Sequence, residues 1–110
     1  MEITQENKNG IECLKIEGRL DAASAADAEK TISEAINAGN EKIVINLEEL
    51  RYISSAGLRT LLVAAKEIKA KNGKIVICSM IESVKKIFDI SGFTSIFDIE
   101  DSEEKALETF

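Results

Sequence analysis

Two adjacent serines are the residues best placed to do chemistry. The run Tyr52-Ile53-Ser54-Ser55-Ala56-Gly57-Leu58-Arg59 follows an apolar stretch, Ile43 to Leu47, and opens the clearest amphipathic stripe in the chain. Two hydroxyls thus fall at a helix start, where backbone N–H groups lack intrahelical partners and the helix dipole places partial positive charge. Two compatible readings follow. Ser54 or Ser55 caps the helix while Gly57 lets the backbone pack closely. A capping serine on a surface loop is also a phosphate acceptor, because a phosphoryl group brings nearly two negative charges to a site already suited to anions. A second spot is Gly18-Arg19-Leu20-Asp21, between a strand pattern and a helix pattern. Asp21 reads either as a turn carboxylate or as a companion of Ser55, since loops at the carboxyl ends of parallel strands gather on one edge, where ligands and partners bind.

Composition narrows what these residues can be for. The chain has no histidine, which removes the commonest general base and the commonest metal ligand, and with them any Ser-His-Asp triad or His-built zinc site. An enzyme would need an Asp or Glu held close to Ser55 as its base. Nothing in the sequence converges there, so no catalytic residue is assigned and the expectation is a protein without catalysis of its own. No ligand cluster of suitable type and spacing occurs, so no metal or organic cofactor is expected. The 20 acidic and 14 basic side chains leave a formal charge of -6, which repels nucleic acid and anionic lipid at long range and favours a protein partner. Met1 to Lys8 shows no apolar run behind a basic start, and no stretch approaches the length of a membrane span. The expectation is a cytoplasmic protein without membrane insertion. Cys13 and Cys78 lie far apart in apolar stretches, outside any C-x-x-C pair, and read as buried reduced thiols.

Hydrophobic periodicity lays out the strands and helices around the serines. Ile11 to Ile16, Ile43 to Leu47 and Ile75 to Cys78 read as strands, bounded by Gly, Asn or charge. Ile3 to Gln5 joins the first of them as a hairpin through Asn9-Gly10, a pair suited to the positive φ angles of a tight turn. Ala25, Ala28, Ile32, Ala35 and Ile36 form a first helix, with Ser24 at its start and Gly39 at its end. Leu58, Leu61, Leu62, Ala65 and Ile68 stripe a second helix that ends before Gly73. Ser79 and Glu82 suggest a capping box ahead of Val84, Ile87 and Phe88, with Gly92 closing that helix. A weak fifth strand near Ser95 to Ile99 and a short helix from Ser102 to Phe110 complete the pattern. Strands alternating with amphipathic helices imply parallel pairing with right-handed crossovers. The expected fold is therefore α/β, a mixed and mostly parallel sheet of four to five strands. With 110 residues and 45% hydrophobic content, no repeat and no linker, residues 1–110 read as one domain around one core. That core is predicted to include Leu14, Ile16, Ile43, Ile45, Leu47, Leu61, Leu62, Ile75, Ile77, Ile87 and Phe88.

The run Ile53 to Arg59, the upstream Gly18-Arg19-Leu20-Asp21 and the element order together resemble the STAS domain family, the group that includes bacterial anti-anti-sigma factors. The resemblance spans nearly the whole chain. It implies a small α/β domain that binds an anti-sigma factor, itself a serine kinase using ATP. The kinase phosphorylates the domain on the serine two positions before the motif glycine, a serine phosphatase restores it, and only the unmodified form frees the sigma factor. Counted back from Gly57, that serine is Ser55. Many members carry Asp-Ser-Ser-Gly here, whereas this chain has Ser54 for the Asp and Ala56 for the second Ser, which makes Ser54 an alternative acceptor. The resemblance puts Asp21, Ser54, Ser55, Ala56, Gly57 and Arg59 on the partner-binding surface.

Two other binding readings compete with the switch. A receiver domain shares the length and alternation, but it needs an acidic pair after its first strand and an Asp ending its third; here Ile43 to Leu47 contains Asn46 and precedes Glu48-Glu49. The other alternative keeps the STAS resemblance and makes the domain a constitutive scaffold subunit of a stress-signalling or lipid-transport assembly.

Overall fold

Asn9 and Gly10 both take positive φ, 55° and 86°, so the chain reverses in two residues and lays β1 (Glu2–Lys8) antiparallel on β2 (Ile11–Leu20). The computed structural model describes all residues, 1–110. After α1 (Ala25–Asn37), strand β3 (Lys42–Asn46) pairs parallel with β2. A short β4 (Leu50–Ile53) then pairs parallel with the far end of β2 and leads directly into α2 (Ser55–Ala70). Strand β5 (Lys74–Cys78), α3 (Glu82–Ser91), a 3-10 turn at Phe93–Ser95, β6 (Asp98–Glu100) and α4 (Glu103–Glu108) follow. The sheet order is β1-β2-β3-β5-β6 with β4 attached to β2, six strands in all, parallel except for β1.

Side-chain alternation splits the sheet into two unequal faces. One carries Leu14 and Ile16 of β2, Ile43 and Ile45 of β3, and Ile75 and Ile77 of β5, which form a single buried cluster with Ile32 and Ile36 of α1, Leu58, Leu61 and Ile68 of α2, and Val84 and Phe88 of α3. The other carries Ile11, Cys13, Val44, Val76 and Cys78 against Ala106 of α4. The remainder of that second face is a groove of about 870 Å³ lined largely by polar side chains, among them Lys15, Glu17, Asn46 and Glu48.

Several expectations are corrected. The sheet has six strands rather than four to five, because Leu50–Ile53 is only four residues long and its apolar ends are separated by exposed Arg51 and Tyr52. The expected strand near Ser95 to Ile99 divides into the 3-10 turn and the later β6. No capping box joins Ser79 and Glu82. Ile81 is the residue before α3 and makes no side-chain cap, while Ser79 turns with a left-handed φ of 64°. Ser24 precedes α1 as expected but makes no side-chain cap bond to the helix. The predicted core residues are buried except Leu62 and Ile87, which are half-buried at its margin. The buried face of α2 also takes in Thr60 and Ala64.

Candidate functional site

Strand β4 decides where the serines go. Its register sets Ile53 opposite Leu20, and the next residue, Ser54, donates its backbone N–H to the Leu20 carbonyl at 3.0 Å. The loop that begins at Asp21 and the Ser54–Ser55 step into α2 are therefore stitched together at the carboxyl ends of β2 and β4. Gly57 makes the approach possible. It is buried, and a Cβ there would collide with the Leu20 carbonyl oxygen and come within 2.8 Å of Ile53 Cγ1.

The two serines differ in what their hydroxyls do. Ser54 occupies the cap position of α2 with extended backbone, and its Oγ accepts a hydrogen bond from Gly57 N at 3.3 Å. Ser55 is the first residue of the helix and is exposed. It lines a shallow groove of about 560 Å³ between α1 and α2, together with Ala25, Glu29, Ala56, Arg59, Thr60 and Val63. Arg59 lies one turn along from Ser55, the spacing at which helix side chains meet. Thr60 ties the two helices by donating to the Ala25 carbonyl at 3.3 Å and to the Ala56 carbonyl at 3.2 Å.

Asp21 is held in a tight local network. Its Oδ1 accepts from Ala23 N at 3.1 Å and from Ser24 Oγ at 3.3 Å, and its own N–H donates to Ser24 Oγ at 3.0 Å. Ser24 Oγ also donates to the Arg19 carbonyl at 2.9 Å, and the N–H it accepts from is that of Asp21 rather than one of α1. Partial burial opposes ionisation of Asp21, but the hydrogen bonds from Ala23 and Ser24 and the nearby Arg19 guanidinium, 3.6 Å away, outweigh it and hold the carboxyl below its ordinary value. Asp21 is therefore ionised at neutral pH.

The sequence reading missed two contributors to this edge. Tyr52 is exposed, and the Arg19 guanidinium carbon lies 4.2 Å from the centre of its ring, a cation–π contact made across the β2–β4 pairing that sets Arg19 opposite Tyr52. Glu29 of α1 lines the same groove as Ser55. An aromatic flanked by Leu50 and Ile53 was the available signal for the first. Nothing local marks Glu29, whose position depends on how α1 packs on α2.

A mixed sheet with helices massed on one face and a serine exposed at a helix start, tied through Ser54 to the end of β2, define a small α/β domain whose distinctive edge is a surface. The family model for the STAS domain matches residues 2–106, and the chain belongs to that family. It is 34% identical over its whole length to BtrV of Bordetella bronchiseptica, a protein assigned by name to the anti-sigma factor antagonists, of which it covers 95%. Among solved structures, a Thermotoga maritima protein with the same kind of name superposes with a TM-score of 0.92 at 21% identity, over 97% of this chain and 92% of that one. Bacillus SpoIIAA in its phosphorylated form gives 0.73 at 24% identity, over 98% of each chain. The last two likenesses show the shared fold. No helix is long and apolar enough to cross a membrane.

Proposed function

We propose that the chain is a cytoplasmic anti-sigma factor antagonist without catalysis of its own. In its unphosphorylated form it docks the edge built from Asp21, Ser54, Ser55, Ala56, Gly57 and Arg59 on an anti-sigma factor serine kinase, and so frees a sigma factor. Phosphorylation of Ser55 ends the contact, and a serine phosphatase restores it. The reading rests on the family and on the names of its relatives, and one observation carries the choice of residue: Ser55 is exposed on the first turn of α2 while the hydroxyl of Ser54 is committed to the cap. A phosphate on Ser55 meets the positive end of the helix and Arg59, so the folded domain tolerates it. The same charge shares its groove with Glu29 and stands where a partner must approach, and burying it without a matched cation weakens binding.

Capture of the unmodified protein's partner from its own cell lysate, followed by titration and phosphosite mass spectrometry, tests this. Ser55→Ala should keep binding and abolish phosphate incorporation, Ser54→Ala should leave the phosphate stoichiometry unchanged, and Ser55 phosphorylation should weaken binding at least 10-fold, about 1.4 kcal/mol. Equal affinity for the two forms would replace the switch with the constitutive scaffold.

A further inference from the structure

β1 is the outermost strand of the sheet, paired with β2 on one side only. All seven of its residues pair in an unbroken register, from Glu2 opposite Glu17 to Lys8 opposite Ile11, with no proline. Its outer side is thus a regular row of unpaired donors and acceptors, the arrangement that templates another strand. The turn at Asn9-Gly10 fixes which residues face outward. In a two-residue hairpin the flanking pair, Lys8 and Ile11, exchanges ladder bonds, and every second pair does so thereafter. Lys8, Glu6, Thr4 and Glu2 therefore commit their backbone groups to β2, and Asn7, Gln5 and Ile3 turn theirs outward.

We propose that this edge pairs with β1 of a second copy of the chain, antiparallel about a twofold axis at Gln5. Gln5 then faces Gln5 of the second copy, Ile3 faces Asn7, Thr4 faces Glu6 and Glu2 faces Lys8. Three features select this register. All outward-facing residues meet one another, so the ladder is complete. All seven residues overlap. Glu2 meets Lys8 twice, at non-bonded pairs where side chains come closest. A shift of two residues one way sets Glu2 against Glu6, and the other way sets Glu6 against Glu6, so both neighbouring registers oppose like charges. A shift of one residue breaks the ladder and reverses the faces. Lys8 already lies 2.7 Å from Glu103 Oε2 and 3.4 Å from Glu6 Oε2, and the second copy's Glu2 would join that network. Exposed pairs of this kind set register more than strength, and a single seven-residue pairing belongs at the small end of specific interfaces. The pairing uses no residue of the Ser55 edge and does not depend on phosphorylation.

Sedimentation equilibrium of the full chain at low salt, over about 10 µM to 1 mM, tests the proposal. The expected result is a reversible monomer–dimer equilibrium within that range. Gln5→Pro should weaken it at least tenfold, because it removes an outward N–H that the β1–β2 ladder does not use. Glu2→Lys and Lys8→Glu should each weaken self-association about tenfold. Mixing the two single variants should restore it, since each then offers both charges of one sign to the other. Should Gln5→Pro fail to fold by circular dichroism, the charge variants decide alone. A wild-type chain that stays monomeric to 1 mM, or a dimer indifferent to the charge variants and their mixing, would overturn the proposal.

Discussion

The two faces of the sheet are built from the same strands and held by different physics. On the face covered by α1, α2 and α3, Ile, Leu and Phe side chains close a continuous apolar layer in which Leu14, Ile16, Ile43, Ile45, Leu61 and Phe88 are fully buried. On the opposite face six helical residues of α4 are the only helix. They are tied down by Lys8 to Glu103 at 2.7 Å, Asn46 Nδ2 to Glu103 Oε1 at 3.4 Å, Lys74 Nζ to the Thr109 carbonyl at 2.8 Å, and Lys74 over the Phe110 ring at 5.3 Å. The first face stabilises by a large apolar area removed from water, and the second by a small patch of six buried residues around Ala106 joined by a handful of polar contacts, each worth little. The lesson is that the candidate site, built where α2 meets β2 and β4, rests on the strong face, whereas the groove under α4 lies on the face most easily opened.

The largest expected effect is on the strong face. Leu61→Ala should cost about 2 to 5 kcal/mol of unfolding free energy in urea titration, and a loss under about 0.5 kcal/mol, the usual range for surface sites, would break the contrast. Gly57→Ala should follow at about 1 to 3 kcal/mol, because the added methyl must push α2 off the Leu20 carbonyl. It should also weaken partner capture while Leu61→Ala does not, provided both are assayed well below their unfolding midpoints.

On the weak face, Glu103→Gln should cost about 1 kcal/mol at pH 7. Burial opposes ionisation of Glu103, but the Lys8 and Asn46 hydrogen bonds and the Lys8 charge outweigh it and hold the carboxyl below its ordinary 4.5. A depressed folded-state pKa means that the unfolded chain takes up protons first as pH falls. This stabilisation is therefore complete above about pH 5 and lost as pH drops below 4.5 through the folded value. Wild type and Glu103→Gln should converge in stability at low pH, and a gap that persists there would show that the tie is not ionic.

The thiols beneath α4 provide the finest measure of the comparison. Burial pushes Cys13 up to about 11 and also raises Cys78, so both should alkylate slowly in the folded protein. Glu103→Gln should speed their labelling about fivefold, the equivalent of about 1 kcal/mol of easier opening. An unchanged rate would mean that α4 opens independently of the Lys8–Glu103 contact.

Ser55→Asp should change stability least, by a few tenths to about 1 kcal/mol and in the favourable direction, because the charge lies at a helix start. A loss of more than about 1 kcal/mol in thermal unfolding would mean that Glu29 in the same groove outweighs the helix end and Arg59.

Local chemistry along the chain accounts for most of the regular elements. Alternation and three-and-four spacing gave β1 to β3, β5 and the first three helices, because a strand or helix must bury one face whatever it packs against. Asn9-Gly10 specified the hairpin, and the hydroxyl–Gly pattern at Ser54 to Gly57 specified a helix start with a close backbone approach. Tertiary structure decided the rest. Leu50–Ile53 is a strand only because Gly18 to Leu20 of β2 offers it a ladder, and four residues carry too little periodicity to announce that. Ser79 and Glu82 have the spacing of a capping box, but Ser79 N–H bonds to the Glu100 carbonyl at 3.2 Å at the end of the β5–β6 pairing, and the chain turns there before α3 begins. Ser54 and Ser55 are equivalent hydroxyls in the sequence. They become different once the Ser54 N–H is bonded to the Leu20 carbonyl, for that contact fixes the cap, commits one oxygen to Gly57 and leaves the other facing solvent.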